Sequence, residues 1–172
     1  MSNVNWPDQL FDVLKRGDVR QVGYVPDAGH SRLIQRCTAD SDMHAVSLTT
    51  EEEGVALAAG AWLGGERAAL LMQSSGVGNC INMLSLSRTC RFPMPMFITM
   101  RGEWEEFNPW QVPMGQAVEP VLKLCDAEIM RVTKPDEVAG VAERALQSAY
   151  GDERIVAVLL SQELIGKKVW TK

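Results

Sequence analysis

Residues 49–79 read TTEEEGVALAAGAWLGGERAALLMQSSGVGN, and their order is a helix start, a helix, a strand and a glycine turn. Three glutamates follow two threonines, and acidic side chains favour the positive end of a helix. Thr50 with Glu53 three positions later has the pattern of a capping box. From Gly54 to Ala61 nothing is charged and almost every side chain is small, so another backbone can approach this helix closely from any side. After Gly64 and Gly65 comes a short apolar strand, residues 68–72, and then the turn Gln73-Ser74-Ser75-Gly76-Val77-Gly78-Asn79. A helix feeding a short buried strand is the unit from which parallel sheets are built.

The same alternation runs outward in both directions. Toward the N-terminus, residues 45–48 read as a strand, 31–37 as a helix and 21–25 as a strand ended by Pro26-Asp27-Ala28-Gly29. Toward the C-terminus follow a helix at 77–88, a strand at 94–100 and a long irregular segment at 101–115. Then come a helix at 116–124, a strand at 128–132, a helix at 135–150 with Pro135 in its first turn, and a strand at 155–160. Six short strands separated by helices predict a three-layer, doubly wound α/β domain with a mostly parallel six-stranded sheet, spanning residues 1–172 as one unit. Ligands in such folds lie beyond the carboxyl ends of the strands. Those ends are residues 26–30, 49–51, 73–79, 100–115 and 161–163.

Composition narrows the function. The chain is 46% hydrophobic and 23% charged with a net charge of -5 and scattered basic residues, which argues against a nucleic-acid surface. The longest apolar stretch, residues 55–65, is broken by glycine and too short to span a bilayer, and residues 1–7 lack the pattern of a signal peptide. A soluble, cytoplasmic chain is expected. Cys37, Cys80, Cys90 and Cys125 form no C-x-x-C pair and have no histidine at ligand spacing, so they read as buried thiols and no metal site is expected.

Several residues carry candidate chemistry. Glu51 shares a helix face with Val55, Ala58 and Trp62, so its carboxyl sits at the edge of an apolar stripe, partly desolvated and suited to share a proton with a ligand. A plain helix-start role suits Glu53 and suits Glu52 nearly as well. The glycine turn at 73–79 reads either as an ordinary strand-to-helix connection or as a ligand loop. Arg101 ends a strand, and its fork matches a sulfonate, phosphonate or carboxylate, the alternative being a salt bridge to Glu103 or Glu105. His30 and Ser31 lie in the loop after the first strand, where His30 also fits a solvated helix start; His44 reads as structural. Trp104, Trp110 and Met114 suit a lid or a subunit interface, Gln111 a polar lid contact, and residues 167–170 a contact tail.

The segments EEEGVALAAGAWLGG and MQSSGVGN, with Pro93-Met94-Pro95-Met96 and Arg101-Gly102-Glu103, resemble the pyrimidine-binding domain of thiamine-diphosphate enzymes. That family has a glutamate at the end of its second strand and, nine positions on, a glycine in a helix of small residues. Counting back from Gly60 lands on Glu51, with Glu52 and Glu53 one and two positions out of register. Within the family the chain is most similar to sulfopyruvate decarboxylase α subunits and phosphonopyruvate decarboxylases.

The resemblance implies that Glu51 is catalytic and hydrogen-bonds the aminopyrimidine, that Gln73, Ser74, Ser75, Gly76, Gly78 and Asn79 line the cofactor, and that His30, Ser31, Arg101 and Gln111 face the substrate. It implies decarboxylation of a small anionic 2-oxo acid to an aldehyde. The family's G-D-G sequence with a distal asparagine is missing, since Gly17-Asp18-Val19 and Gly151-Asp152-Glu153 lack its third glycine. The diphosphate and Mg2+ are therefore expected on a partner β subunit, with the chain homodimerised inside a hetero-oligomer. Two alternatives stay open: a carboligase or oxidoreductase half with the same cofactor, although no iron–sulfur spacing is present, and a non-catalytic flavodoxin-like module whose glycine turn binds a phosphate or nucleotide. The second leaves the Glu51-to-Gly60 spacing without a role.

Overall fold

A computed structural model describes residues 5–167. In chain order the elements are α1 (Trp6–Arg16), β1 (Val19–Tyr24), α2 (Ser31–Ala39), β2 (His44–Ser47), α3 (Glu52–Leu63), β3 (Arg67–Gln73), α4 (Val77–Cys80), α5 (Leu84–Cys90), β4 (Met94–Thr99), α6 (Val112–Leu124), β5 (Glu128–Val132), α7 (Val138–Asp152), β6 (Ile155–Leu160) and α8 (Gln162–Ile165). The strands form one sheet in the order β2-β1-β3-β4-β6-β5, and every neighbouring pair is parallel.

The apolar runs seen in the sequence become the middle of this sheet because both of its faces are covered. Ala69, Leu71, Phe97, Val156, Val158 and Leu160 point to one side, into a core shared with α1, α2 and α7. Their alternates Leu70, Met72, Met96, Ile98, Ala157 and Leu159 point to the other, against α3 to α6. Each step of the chain toward β2 crosses the first face and each step toward β5 crosses the second, as right-handed crossovers require. Every loop that follows a strand therefore emerges at one edge of the sheet.

Three features depart from the sequence reading. The helix α1 was not anticipated, although Pro7 stands in its first turn, Asp8 near its start and Lys15 and Arg16 at its end; it buries Leu10 and Leu14 completely. The expected helix at 77–88 is broken into a 3-10 turn (Ser74–Gly76), α4 and α5. Asn82 accounts for the break, since its carbonyl accepts from Ser85 Oγ at 2.6 Å and from Ser85 N at 3.2 Å, a local bond that competes with the helical ladder. The loop after β4 is also shorter than expected, because a 3-10 turn (Pro109–Gln111) runs into α6 at Val112.

Candidate active site

The three consecutive glutamates at the start of α3 do three different things. Glu53 is exposed and turns back so that its Oε2 accepts from the N–H of Thr49 at 2.8 Å. Glu52 accepts from the hydroxyl of Thr50 at 3.0 Å, so that hydroxyl does not cap the helix, and the reciprocal Thr50–Glu53 box is replaced by Glu53 on Thr49. Glu51 turns inward and is 7% exposed, packed on the same face as the buried Val55 and Ala58.

What receives Glu51 is the turn after β3. Gly76 lies under its side chain: a Cβ on Gly76 would fall 2.5 Å from Glu51 Cγ and Cδ, so only glycine leaves room for this carboxyl. Asn79 donates from Nδ2 to Glu51 Oε2 at 2.7 Å. The other oxygen, Oε1, has no hydrogen-bond partner among the described residues. Beneath them the Cys80 thiol is pushed up to about 12, first by burial and then by the charges of Glu51 and Glu52, so it stays protonated and unreactive.

A second polar cluster joins β1, β3 and β4 at the same edge. Asp27 Oδ1 accepts from Gln73 Nε2 at 3.0 Å, and Asp27 Oδ2 accepts from Thr99 Oγ1 at 2.7 Å and from Gly29 N at 3.0 Å. Gln73 Oε1 in turn accepts from Ser75 Oγ at 3.0 Å. Asp27 was read in the sequence only as part of a strand-breaking turn. Its signal was its place, an acidic residue immediately beyond a strand end.

The substrate-facing candidates fare differently. His30 is completely buried, neither solvated nor at the surface of the edge; its Nε2 lies 3.0 Å from the Phe97 carbonyl and therefore carries the hydrogen, while Nδ1 has no partner among the described residues. Burial pushes its pKa below the ordinary imidazole value against the nearby charge of Asp27, so the ring is neutral near pH 7. Ser31, at the start of α2, is exposed. Gln111 has a buried Oε1 without a partner among the described residues. Arg101 is paired with neither Glu103 nor Glu105: its fork is taken by both oxygens of Glu106, with Nε to Oε2 at 2.7 Å. Its guanidinium is thus committed within the chain instead of being open to an anion.

Elsewhere, Cys37 and Cys80 are buried as expected, whereas Cys90 is exposed and Cys125 half-buried. Trp110 is 86% exposed. Residues 168–170 of the expected contact tail lie outside the described residues. A concavity of about 490 Å3, lined by Val13, Arg16, Arg67, Leu146 and Tyr150 among others, opens at the opposite edge of the sheet and shares no residue with the Glu51 cluster. Among the described residues no helix is long and apolar enough to cross a membrane.

Comparison with known proteins gives the family. The model of the family "Thiamine pyrophosphate enzyme, N-terminal TPP binding domain" matches residues 5–113. Over 151 residues the chain is 32% identical to the sulfopyruvate decarboxylase subunit alpha of Methanocaldococcus jannaschii, covering 87% of this chain and 89% of that protein. It is 38% identical over 112 residues to the phosphonopyruvate decarboxylase of Streptomyces viridochromogenes, covering 64% of this chain but 28% of that longer protein. Among solved structures, the 2-oxoglutarate:ferredoxin oxidoreductase of Magnetococcus marinus superposes with a TM-score of 0.73 at 12% identity, over 93% of this chain and 29% of that one, a likeness of fold.

Proposed function

The chain belongs to the family of N-terminal TPP-binding domains of thiamine pyrophosphate enzymes, and from that premise we propose that it is the cofactor-activating half of a cytoplasmic 2-oxo acid decarboxylase. Its substrate is a small anionic 2-oxo acid of the sulfopyruvate or phosphonopyruvate kind, as the names of its relatives suggest. We place the diphosphate and Mg2+ on a second chain, a division that a relative named as a subunit alpha supports. Pairs of the two chains then associate through a second copy of this one.

The observation that carries the reading is the seat of Glu51. A buried carboxyl with one oxygen held by Asn79 and the other without a partner among the described residues suits a ring nitrogen that must receive a hydrogen bond, which is what the aminopyrimidine of thiamine diphosphate offers. When bound, that cofactor supplies the electron sink through which a 2-oxo acid loses carbon dioxide. With the cofactor bound, Glu51 would place Oε1 at the pyrimidine nitrogen and hydrogen-bond it there. Asn79, as a donor to Oε2, fixes the carboxyl rotamer, and Gly76 leaves the space in which that rotamer exists. Asp27 ties Gln73 and Thr99 into one rigid floor, so that the edge is ordered before a ligand arrives.

The test is hydrogen–deuterium exchange at thiazolium C2 in the complex reconstituted from both chains. Glu51→Gln keeps the fold and the assembly, because Gln is nearly isosteric, and slows exchange and turnover about 100- to 10,000-fold, the range for losing a positioned acid–base group. Exchange at the wild-type rate would sink the reading. The chain assayed without its partner shows no measurable decarboxylation.

A further inference from the structure

The loop that leaves β4 is fastened from within. Arg101 is 6% exposed, and its side chain and that of Glu106 are 8% and 4% exposed. The carboxylate of Glu106 accepts not only both guanidinium bonds but also the N–H of Gly102 at 3.1 Å, the N–H of Asn108 at 3.0 Å and Nε2 of Gln162 at 2.8 Å. Gln162, the second residue beyond β6, accepts on Oε1 from the N–H groups of Glu103 and Trp104, both at 3.0 Å. The Arg101 guanidinium, helped by the Asn108 and Gly102 N–H groups and by Gln162, holds the Glu106 carboxyl at about 2 against the opposing effect of burial. The pair is therefore ionised throughout the neutral range.

The other end of Arg101 reaches the Glu51 seat. Its backbone N–H donates to the buried Oγ of Ser74 at 3.1 Å, and Ser74 opens the 3-10 turn whose last residue is Gly76. Gly115 closes on the Arg101 carbonyl from α6: a Cβ there would stand 3.0 Å from the Arg101 carbonyl carbon. Arg101 is thus held on its side chain by Glu106 and on its carbonyl side by α6, while its N–H holds the turn beneath Glu51. A buried ion pair is a poor device for stability alone, because stripping water from both groups offsets their attraction and apolar residues would pack as well. What it adds is one fixed geometry.

We infer that Glu106 is a positioning residue for the proposed reaction, setting through Arg101 and Ser74 the turn on which the Glu51 carboxyl rests. This rests on the reading of Glu51 given above. It also reassigns Arg101, whose fork would otherwise be expected on the anionic end of the substrate.

Three variants test it. In the reconstituted complex, Glu106→Gln slows C2 exchange by up to about 100-fold, the scale on which a displaced group costs rate. It lowers kcat with little change in KM, and by the same factor for 2-oxo acids with and without an anionic tail. Arg101→Ala does the same. Ser74→Ala, which keeps the ion pair and removes only the acceptor of the Arg101 N–H, slows exchange in the same direction. In the free full-length chain, with no cofactor present, amide hydrogen exchange of the peptide spanning residues 73–80 speeds up in all three. Wild-type protection of that peptide, or wild-type C2 exchange in Glu106→Gln or Ser74→Ala beside a slow Glu51→Gln, overturns the positioning role and leaves the reading of Glu51 standing. A loss confined to acids with an anionic tail overturns it as well and returns Arg101 to the substrate. Wild-type exchange in Glu51→Gln itself takes down both.

Discussion

The two faces of the sheet are packed with different materials. Under α1, α2 and α7 the aromatic side chains of Trp6, Phe11 and Phe97 pack among leucines, valines and alanines. Under α3 to α6 four methionines, Met72, Met94, Met96 and Met100, meet Val55, Ala58, Val77, Cys80 and Leu84 from the helices. The outer surfaces differ too. Among the described residues, the large hydrophobic ones left exposed, Leu63, Ile81, Leu86, Phe107, Trp110 and Leu124, all belong to the second face or to the loop that leads into it, and three of them are more than 80% exposed. The second face thus carries the candidate site together with these exposed apolar side chains.

Breaking the first face should cost most. Leu14 is completely buried, so Leu14→Ala lowers unfolding free energy by about 2–5 kcal/mol, read from denaturant titration of the chain. A loss below about 1 kcal/mol would mean that stability is not stored on that side. On the second face the expected sign reverses. A Cβ at Gly60 meets nothing within 4 Å, so Gly60→Ala raises the stability of the isolated chain by up to about 1 kcal/mol through helix propensity. The same substitution weakens association with the partner chain if the outer side of α3 is covered there. Unchanged assembly would show that this side of α3 stays open. The smallest effect separates the site from the helix that bears it: Glu53→Gln, which touches only the Thr49 N–H, changes stability by about 0.3–1 kcal/mol and leaves C2 exchange untouched.

How much of this was legible follows from the range of each interaction. The sheet was readable because β3, β4 and β6 are buried on both sides along their middles and are apolar there. Glu51 was readable from spacing along one helix, which local geometry fixes. The partner of Arg101 was not, because it depends on the path of a loop. Gly102 and Glu105 both adopt positive φ, 76° and 40°, and with those reversals it is Glu106 whose carboxylate meets the guanidinium, although Glu103 and Glu105 are nearer in sequence. Glu103 goes to Arg131, at 2.9 Å. The depth of His30 was hidden for the same reason, since its bond to the Phe97 carbonyl spans two strands far apart in the chain. The helix α1 was different: its signals were local and present, and simply were not assembled.

The strand order has a consequence for how the molecule comes into being. β6 is the last strand in the chain, yet it lies between β4 and β5, so until residues 155–160 arrive both neighbours present bare edges that other chains can pair with. Contacts this distant in sequence slow folding, and a nascent chain halted before β6 has a sheet with a gap in it. Gln162, which bonds Glu106 and the loop after β4, follows β6 at once. The fastening of the Arg101 loop is therefore among the last things to form, and a chain that has acquired it has already inserted its final strand.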